Sequence, residues 1–310
     1  MSVATPVATP DATSHSSRTD VARDLFDTRH RFSKGIVERG VSSFGPAWEA
    51  ELESTLAHLY PDDADLALAV DGYAAFAMDS MRRQARFERD LAYPAKTYAE
   101  AADEVYFDAD YMQRQYLPGL LLSHYLWPHH YRQIQFFDTA FVGPLGAAGG
   151  ATFSEVGIGT GLYSRRLLSA LPGLIGTGYD ISPASKRFSE HHLSAYGFSG
   201  RYEVVLQDVV SQPMRPTDWL VCVEVLEHLE DPAAFLRSLR GALRPGGRAF
   251  ITAALNAANA DHIYLYRTPA EVWQQLDDAG FTLVQSFHGA AYAPPRAGSV
   301  VPSAAAFVVA

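Results

Sequence analysis

The chain has 310 residues, 48% of them apolar, and a formal net charge of −10. That length accommodates one large α/β unit plus a smaller appended region, and no apolar run approaches the roughly 20 residues that a membrane-spanning helix requires. The acidic excess is uneven: residues 1–150 hold 13 Lys/Arg against 21 Asp/Glu, a net of −8, and residues 151–310 hold 12 against 14, a net of −2. With no basic stripe, the chain is a poor partner for a phosphate backbone, which argues against a nucleic-acid substrate. The single cysteine, Cys222, excludes an intrachain disulfide and a cysteine-based zinc site. It lies in the apolar run Trp219–Val223 and reads as a buried thiol.

Residues 1–20 are rich in Ser, Thr, Ala and Pro, lack a signal-peptide core and read as a disordered tail, so a cytoplasmic location is expected. Residues 21–145 read as mostly helical. Apolar spacing predicts helices over Glu49–Tyr60, Leu66–Leu91 and Asp108–Tyr125. Pro128 suits the first turn of a fourth, running to Phe141, with Trp127–His130 as the corner. The glycine-rich stretch Gly143–Gly150 reads as a break.

From Ala151 the pattern changes to short apolar strands alternating with helices. Strands are expected at Ala151–Val156, Leu174–Tyr179, Tyr202–Leu206, Trp219–Val223, Arg248–Ala253, Phe281–Phe287 and Ala304–Val309. Helices are expected at Leu162–Leu171, Pro183–Tyr196, Pro232–Leu243 and Pro269–Ala279. The alternation specifies an α/β fold: a doubly wound, mainly parallel seven-stranded sheet over residues 151–310, with the N-terminal helical region as a cap. Ligands of such sheets bind at the C-terminal ends of the strands, at the point where strand order reverses.

The motifs fall at those ends. Glu155-Val-Gly157-Ile-Gly159-Thr-Gly161 follows the first strand and opens a helix. Glycines there permit a tight turn and a close ligand approach. No Gly-Lys-Ser/Thr follows, so this is not a P-loop. Leu162 occupies the sixth position of the dinucleotide spacing, which disfavours an NAD-dependent oxidoreductase. Asp180 ends the second strand, where a carboxylate could accept from two ribose hydroxyls or cap the following helix. Asp208 ends the third. Val223-Glu224-Val-Leu-Glu227-His228 with Asp231-Pro232 follows the fourth, and Arg244-Pro-Gly246-Gly247 precedes the fifth. Glu227 and Asp231 read as supports of the loop and of the next helix start.

In order and spacing these five segments resemble class I S-adenosylmethionine (SAM)-dependent methyltransferases of the ubiquinone- and menaquinone-biosynthesis type. The resemblance covers residues 151–310 and leaves the helical first 150 residues largely unexplained. It implies SAM as cofactor, with Glu155, Gly157, Gly159, Gly161, Asp180, Ile181, Asp208, Val209 and Glu224 in its site. The Asn/Asp-Pro-Pro-Tyr/Phe segment of nucleic-acid amine methyltransferases is replaced by Glu224-Val-Leu-Glu227, so a small-molecule acceptor is expected. The composition also resembles that of bacterial natural-product tailoring enzymes.

Methyl transfer is an in-line displacement that depends mainly on alignment, and a base is required only for a protonated nucleophile. His262 and His228 are the candidate catalytic groups; Trp127, Tyr131, Asn256 and Tyr264 are candidate substrate contacts. No metal is expected, because His129, His130, His262 and His288 show no ligand spacing. The helical region could serve as a lid or as a homodimer interface. A SAM-binding regulatory protein without activity is the alternative from another functional class.

Overall fold

The computed structural model describes residues 16–296 and 298–310. The expected tail falls on residues 1–15, which lie outside those described, except at its end. There Ser17 accepts from the Asp20 N–H and caps α1 (Arg18–Arg29), so residues 18–20 are helical. Next come α2 (Ile36–Phe44), α3 (Pro46–Leu59) and the 28-residue α4 (Asp63–Asp90). α5 (Tyr98–Glu104) was not foreseen; it starts at a capping box between Thr97 and Glu100. Asp108 caps the single turn α6 (Ala109–Tyr111), which runs through a wide π-type turn at Met112–Tyr116 into α7 (Leu117–Leu126).

Trp127 is extended and forms the corner before α8 (Pro128–Phe137). The expected break at Gly143 is corrected. A second wide turn, Asp138–Val142, leads into α9 (Gly143–Ala147), and the helix ends only at Gly149, whose φ is +67°. The reason is tertiary: Leu145 is fully buried and holds the glycine-rich segment helical.

The sheet comprises β1 (Thr152–Val156), β2 (Ile175–Asp180), β3 (Tyr202–Leu206), β4 (Thr217–Cys222), β5 (Leu243–Leu255), β6 (Leu283–Ala290) and β7 (Ser303–Val309). Their order is β3-β2-β1-β4-β5-β7-β6. β1 to β5 are parallel, and β7 is antiparallel to both β5 and β6. The order reverses between β1 and β4, which puts the switch point above the Glu155 and Glu224 loops. Between the strands run α10 (Leu162–Ala170), α11 (Pro183–Ala195), α12 (Pro232–Ala242) and α13 (Pro269–Asp278).

Several boundaries differ from expectation, and two of the differences have a visible cause. β6 starts at Leu283 rather than Phe281, because the Phe281 N–H still closes α13 on the Leu276 carbonyl. β5 starts at Leu243 rather than Arg248; Thr217 pairs with Leu243 and Trp219 with Arg248, so Arg244–Gly247 bulge out of the ladder.

One core joins the helical region to the sheet: Phe137 and Phe141 meet Phe250 of β5 with ring centroids 4.8 and 6.0 Å apart. α12 and α13 cover the other face through Leu236, Leu239, Val272 and Leu276. The helical region therefore shares the sheet's core.

Candidate active site

A cavity of about 890 Å³ opens at the switch point, between the strand ends and the helical region. This is at the upper end of the roughly 300–1,000 Å³ typical of small-molecule sites. Its floor is the glycine loop. Gly157, Gly159 and Gly161 have φ of +71°, +49° and +73°. Only glycine takes this left-handed backbone without strain. A Cβ on Gly157 would lie 2.4 Å from Val225 Cγ2. Gly157 and Gly159 line the cavity, while Gly161 sits behind them as the N-cap of α10.

Glu155 is buried at the end of β1 and bonded to Ser164 Oγ of α10, tying strand to helix across the loop. Burial pushes its carboxyl up to about 8, against the Ser164 bonds. Asp180 accepts from the Gly159 N–H at 3.1 Å and the Ser182 N–H at 2.8 Å. Burial raises its pKa despite these bonds. A carboxylate offers about four lone-pair sites, so acceptor capacity remains for a ligand. Ile181, the exposed Asp208 and the buried Val209 complete this wall. Asp208 also accepts from the Val210 N–H at 2.9 Å.

Glu224 follows β4 in a left-handed conformation, φ +52°, a backbone rare outside glycine and concentrated at functional sites. Thr252 of β5 holds it: the Glu224 N–H donates to Thr252 Oγ1 at 2.9 Å, and that hydroxyl donates to Glu224 Oε1 at 2.7 Å. Burial raises the pKa of Glu224; burial and then the neighbouring Glu224 charge raise that of Glu227. The fully buried Glu227 carboxylate has no hydrogen-bond donor among the described residues.

His228 Nδ1 lies 3.2 Å from the Asp261 carbonyl and 3.3 Å from Asp261 Oδ2. Neither oxygen can donate, so Nδ1 carries the hydrogen and Nε2 is left as an acceptor. Asp261 Oδ2 also accepts from the Tyr106 hydroxyl at 3.0 Å and the Tyr116 hydroxyl at 2.7 Å. Burial alone would raise the Asp261 pKa; the neighbouring His228 and His262 rings and the two phenol bonds outweigh it and hold the carboxyl below its ordinary value.

His262 packs edge-on to His228 with ring centroids 4.9 Å apart, and its Nδ1 lies 2.7 Å from the Ala257 carbonyl. Burial lowers its pKa to about 4, keeping it neutral. Glu227, His228 and His262 each offer an atom able to bind a metal, all within 4.8 Å of one another. Tetrahedral zinc, with bonds near 2.1 Å, would need them about 3.4 Å apart. His288 is remote from this group, bonded to Ser303 Oγ at 3.0 Å.

Of the expected substrate contacts, Trp127 lines the cavity. Tyr131, Asn256 and Tyr264 are not among its lining residues. Tyr131 is buried against Phe44 and Tyr125, and the Tyr264 hydroxyl accepts from Gln275 Nε2 at 2.8 Å. Asn256 Nδ2 donates to the Arg267 carbonyl at 2.8 Å, securing the turn after β5. Sequence reasoning gave no role to Asp261, Tyr106 or Tyr116. Asp261 was visible only as the neighbour of His262, and nothing in the spacing ties it to two tyrosines about 150 residues upstream.

The buried histidines give a pH prediction. Burial lowers His124, His129 and His262 to about 4 and His192 to about 3. Unfolded histidine titrates near 6.5, so below that pH the unfolded chain binds more protons and stability falls. The raised carboxyl of Glu155 acts oppositely: the folded chain holds the extra proton, and stability falls as pH rises towards 8. Melting temperature is expected to peak at about pH 7, where the protons bound by the four unfolded histidines fall to the one held by Glu155, and to decline on both sides. A monotonic rise to pH 8 in a thermal-melt series would contradict this balance.

Residues 154–249 match the methyltransferase-domain family. A ubiquinone biosynthesis O-methyltransferase of Xylella fastidiosa (strain 9a5c) is 34% identical over 104 residues, covering 33% of this chain and 42% of the relative. The chain thus spans well under half of that relative's length. The protein of the same name from Xanthomonas euvesicatoria pv. vesicatoria (strain 85-10) is 29% identical over 167 residues, covering 47% and 69%. Among solved structures, human N-acetylserotonin methyltransferase in complex with SAM superposes with a TM-score of 0.53 at 15% identity, covering 78% of this chain and 69% of that one. The [4+2]-cyclase SpnF superposes with a TM-score of 0.52 at 16% identity, covering 70% and 98%. At these identities the structures establish a shared fold, and that fold carries both a methyltransferase and a cyclase.

Proposed function

We propose that this chain, which over residues 151–310 has the class I methyltransferase fold, transfers a methyl group from SAM to a small-molecule acceptor. The observation that carries this reading is convergence. The glycine floor, Asp180, Asp208 and Glu224 line the same cavity as His228, whose far ring nitrogen Asp261 holds.

The residues fit the cofactor. The two lining glycines keep side chains out of the floor, and the carboxylates suit a cation. Asp180 would hold the ribose hydroxyls, Asp208 and Val209 the adenine, and Glu155 and Glu224 would border the methionine end. When bound, SAM supplies a methyl group on a positively charged sulfur. His228 then acts as the base that takes the proton from the acceptor, with Asp261 fixing its tautomer and orientation. His262 stays neutral beside it and orients the acceptor. The helical region closes the site, contributing Phe76 and Trp127 to its upper wall. We place the reaction in the cytoplasm, in the tailoring of natural products. Among the described residues no helix is long and apolar enough to cross a membrane.

Calorimetric titration with S-adenosylhomocysteine (SAH) tests the cofactor site. Asp180→Ala is expected to weaken binding by about 1–3 kcal/mol through lost hydrogen bonds. Unchanged affinity in a folded variant would refute the ribose role. A SAM-binding protein that does not transfer the methyl group would bind SAH equally well and release none from SAM with any acceptor.

A further inference from the structure

The walls of the cavity carry an unusual balance of charge. Among the described residues, eight carboxylates line it and no lysine or arginine does. Residues 1–15 and 297, outside the described set, contain no lysine or arginine either. No fixed cation is therefore available to an anionic group entering the site.

Burial keeps four of the five lining histidines from supplying one, and the fifth, His228, already faces Asp261. His124 Nδ1 lies 2.7 Å from the Leu120 carbonyl, which can only accept. Ser123 Oγ donates to that same carbonyl at 2.7 Å, so it can only accept from His130 Nδ1 at 3.2 Å. Both rings therefore carry their hydrogen on Nδ1 and leave Nε2 as an acceptor. His228 and His262 have the same arrangement, on Asp261 and Ala257. In their neutral form these four imidazoles leave Nε2 as an acceptor. Burial disfavours the protonated form of His124, His129, His130 and His262.

The wall of the cavity contributed by the helical region is aromatic. Trp127 stacks on Phe76 at 5.8 Å and on His129 at 6.0 Å, and its Nε1 donates to the Tyr73 hydroxyl at 3.0 Å. With Met81 these rings form a broad apolar surface that a small polar metabolite would leave uncovered.

We propose that the second ligand of this cavity is a bulky, largely apolar molecule that carries no anionic group and offers hydroxyl or amino hydrogens to the imidazole acceptors. The proposal rests on the reading above in one respect, that the glycine-loop half holds SAM. A carboxylate, phosphate or sulfate would be desolvated here with no lysine or arginine beside it. A hydroxyl or amino group instead meets ready acceptors.

The test is a fluorescence titration of the full chain with two probes on one skeleton, 1-hydroxypyrene and pyrene-1-carboxylate, each with and without saturating SAH. The hydroxyl probe is expected to bind at least about tenfold more tightly than the carboxylate. Met81 lines the cavity and is 52% exposed, so Met81→Lys brings a cation in with little risk to folding. It is expected to remove most of that preference. Equal or tighter binding of pyrene-1-carboxylate to the unsubstituted protein overturns the proposal, as does failure of both probes to bind. SAH calorimetry on the same sample judges the cofactor reading separately. Selective hydroxypyrene binding without SAH binding would sink that reading and leave the ligand class standing; SAH binding with a carboxylate preference would do the reverse.

Discussion

Replacing His228 by alanine is expected to lower turnover by about 10²–10⁴-fold, the usual contribution of a positioned general base. SAH affinity should change little, because the cofactor wall is built from other residues. The expectation follows from the bond that orients the ring. Asp261 faces His228 Nδ1 at 3.3 Å and is itself held by Tyr106 and Tyr116, so Nε2 is the nitrogen left for an acceptor. Asp261→Asn should then lose a substantial part of the rate with the fold intact, since an amide can offer its N–H to Nδ1 and stabilise the wrong tautomer. Turnover is measured as SAH released with an acceptor found by screening. Wild-type turnover in His228→Ala would remove His228 from the chemistry. Loss of wild-type activity on adding a chelator would instead assign His228, Glu227 and His262 to a metal.

Gly157→Val should weaken SAH binding by at least about 30-fold. Two costs add at this position. The backbone has φ +71°, which a β-branched residue tolerates least. The first carbon of any side chain would also sit 2.4 Å from Val225 Cγ2, in the segment that carries Glu224 and His228. Strain of about 1–3 kcal/mol and overpacking of similar size together correspond to a loss of at least about 30-fold. Gly157→Ala should show a smaller loss in the same direction. Circular dichroism and a melting curve confirm that the variant still folds; SAH binding within twofold of the original protein would show that the loop is not the cofactor floor.

The histories of particular residues show where sequence reasoning stops. Glu155, Gly157, Gly159, Asp180 and Asp208 were legible because the periods of a strand, a tight turn and a helix fix which backbone positions meet at a strand end. His228 and His262 were legible as types near the mouth, and the fold brings their rings within 4.9 Å of each other. Tyr131 and Tyr264 were singled out as aromatic residues near the site. The same apolar surface that made them candidates packs them elsewhere, Tyr131 buried against α2 and Tyr264 half-buried against α13. The helical stretch Gly143–Ala147 was read as a break from its glycines, and the burial of Leu145 overrode that local preference.

The sequence by itself determined the sheet class and the strand-end loops, because each follows from contacts between residues close along the chain. Only the tertiary structure decided which residues of the helical region reach the site. Tyr106 and Tyr116 meet Asp261 across 155 and 145 residues, and Trp127 and Phe76 form the far wall. Such pairings join segments that lie far apart along the chain. Which of them meet is decided by side-chain shape and buried polar partners, which periodicity does not encode.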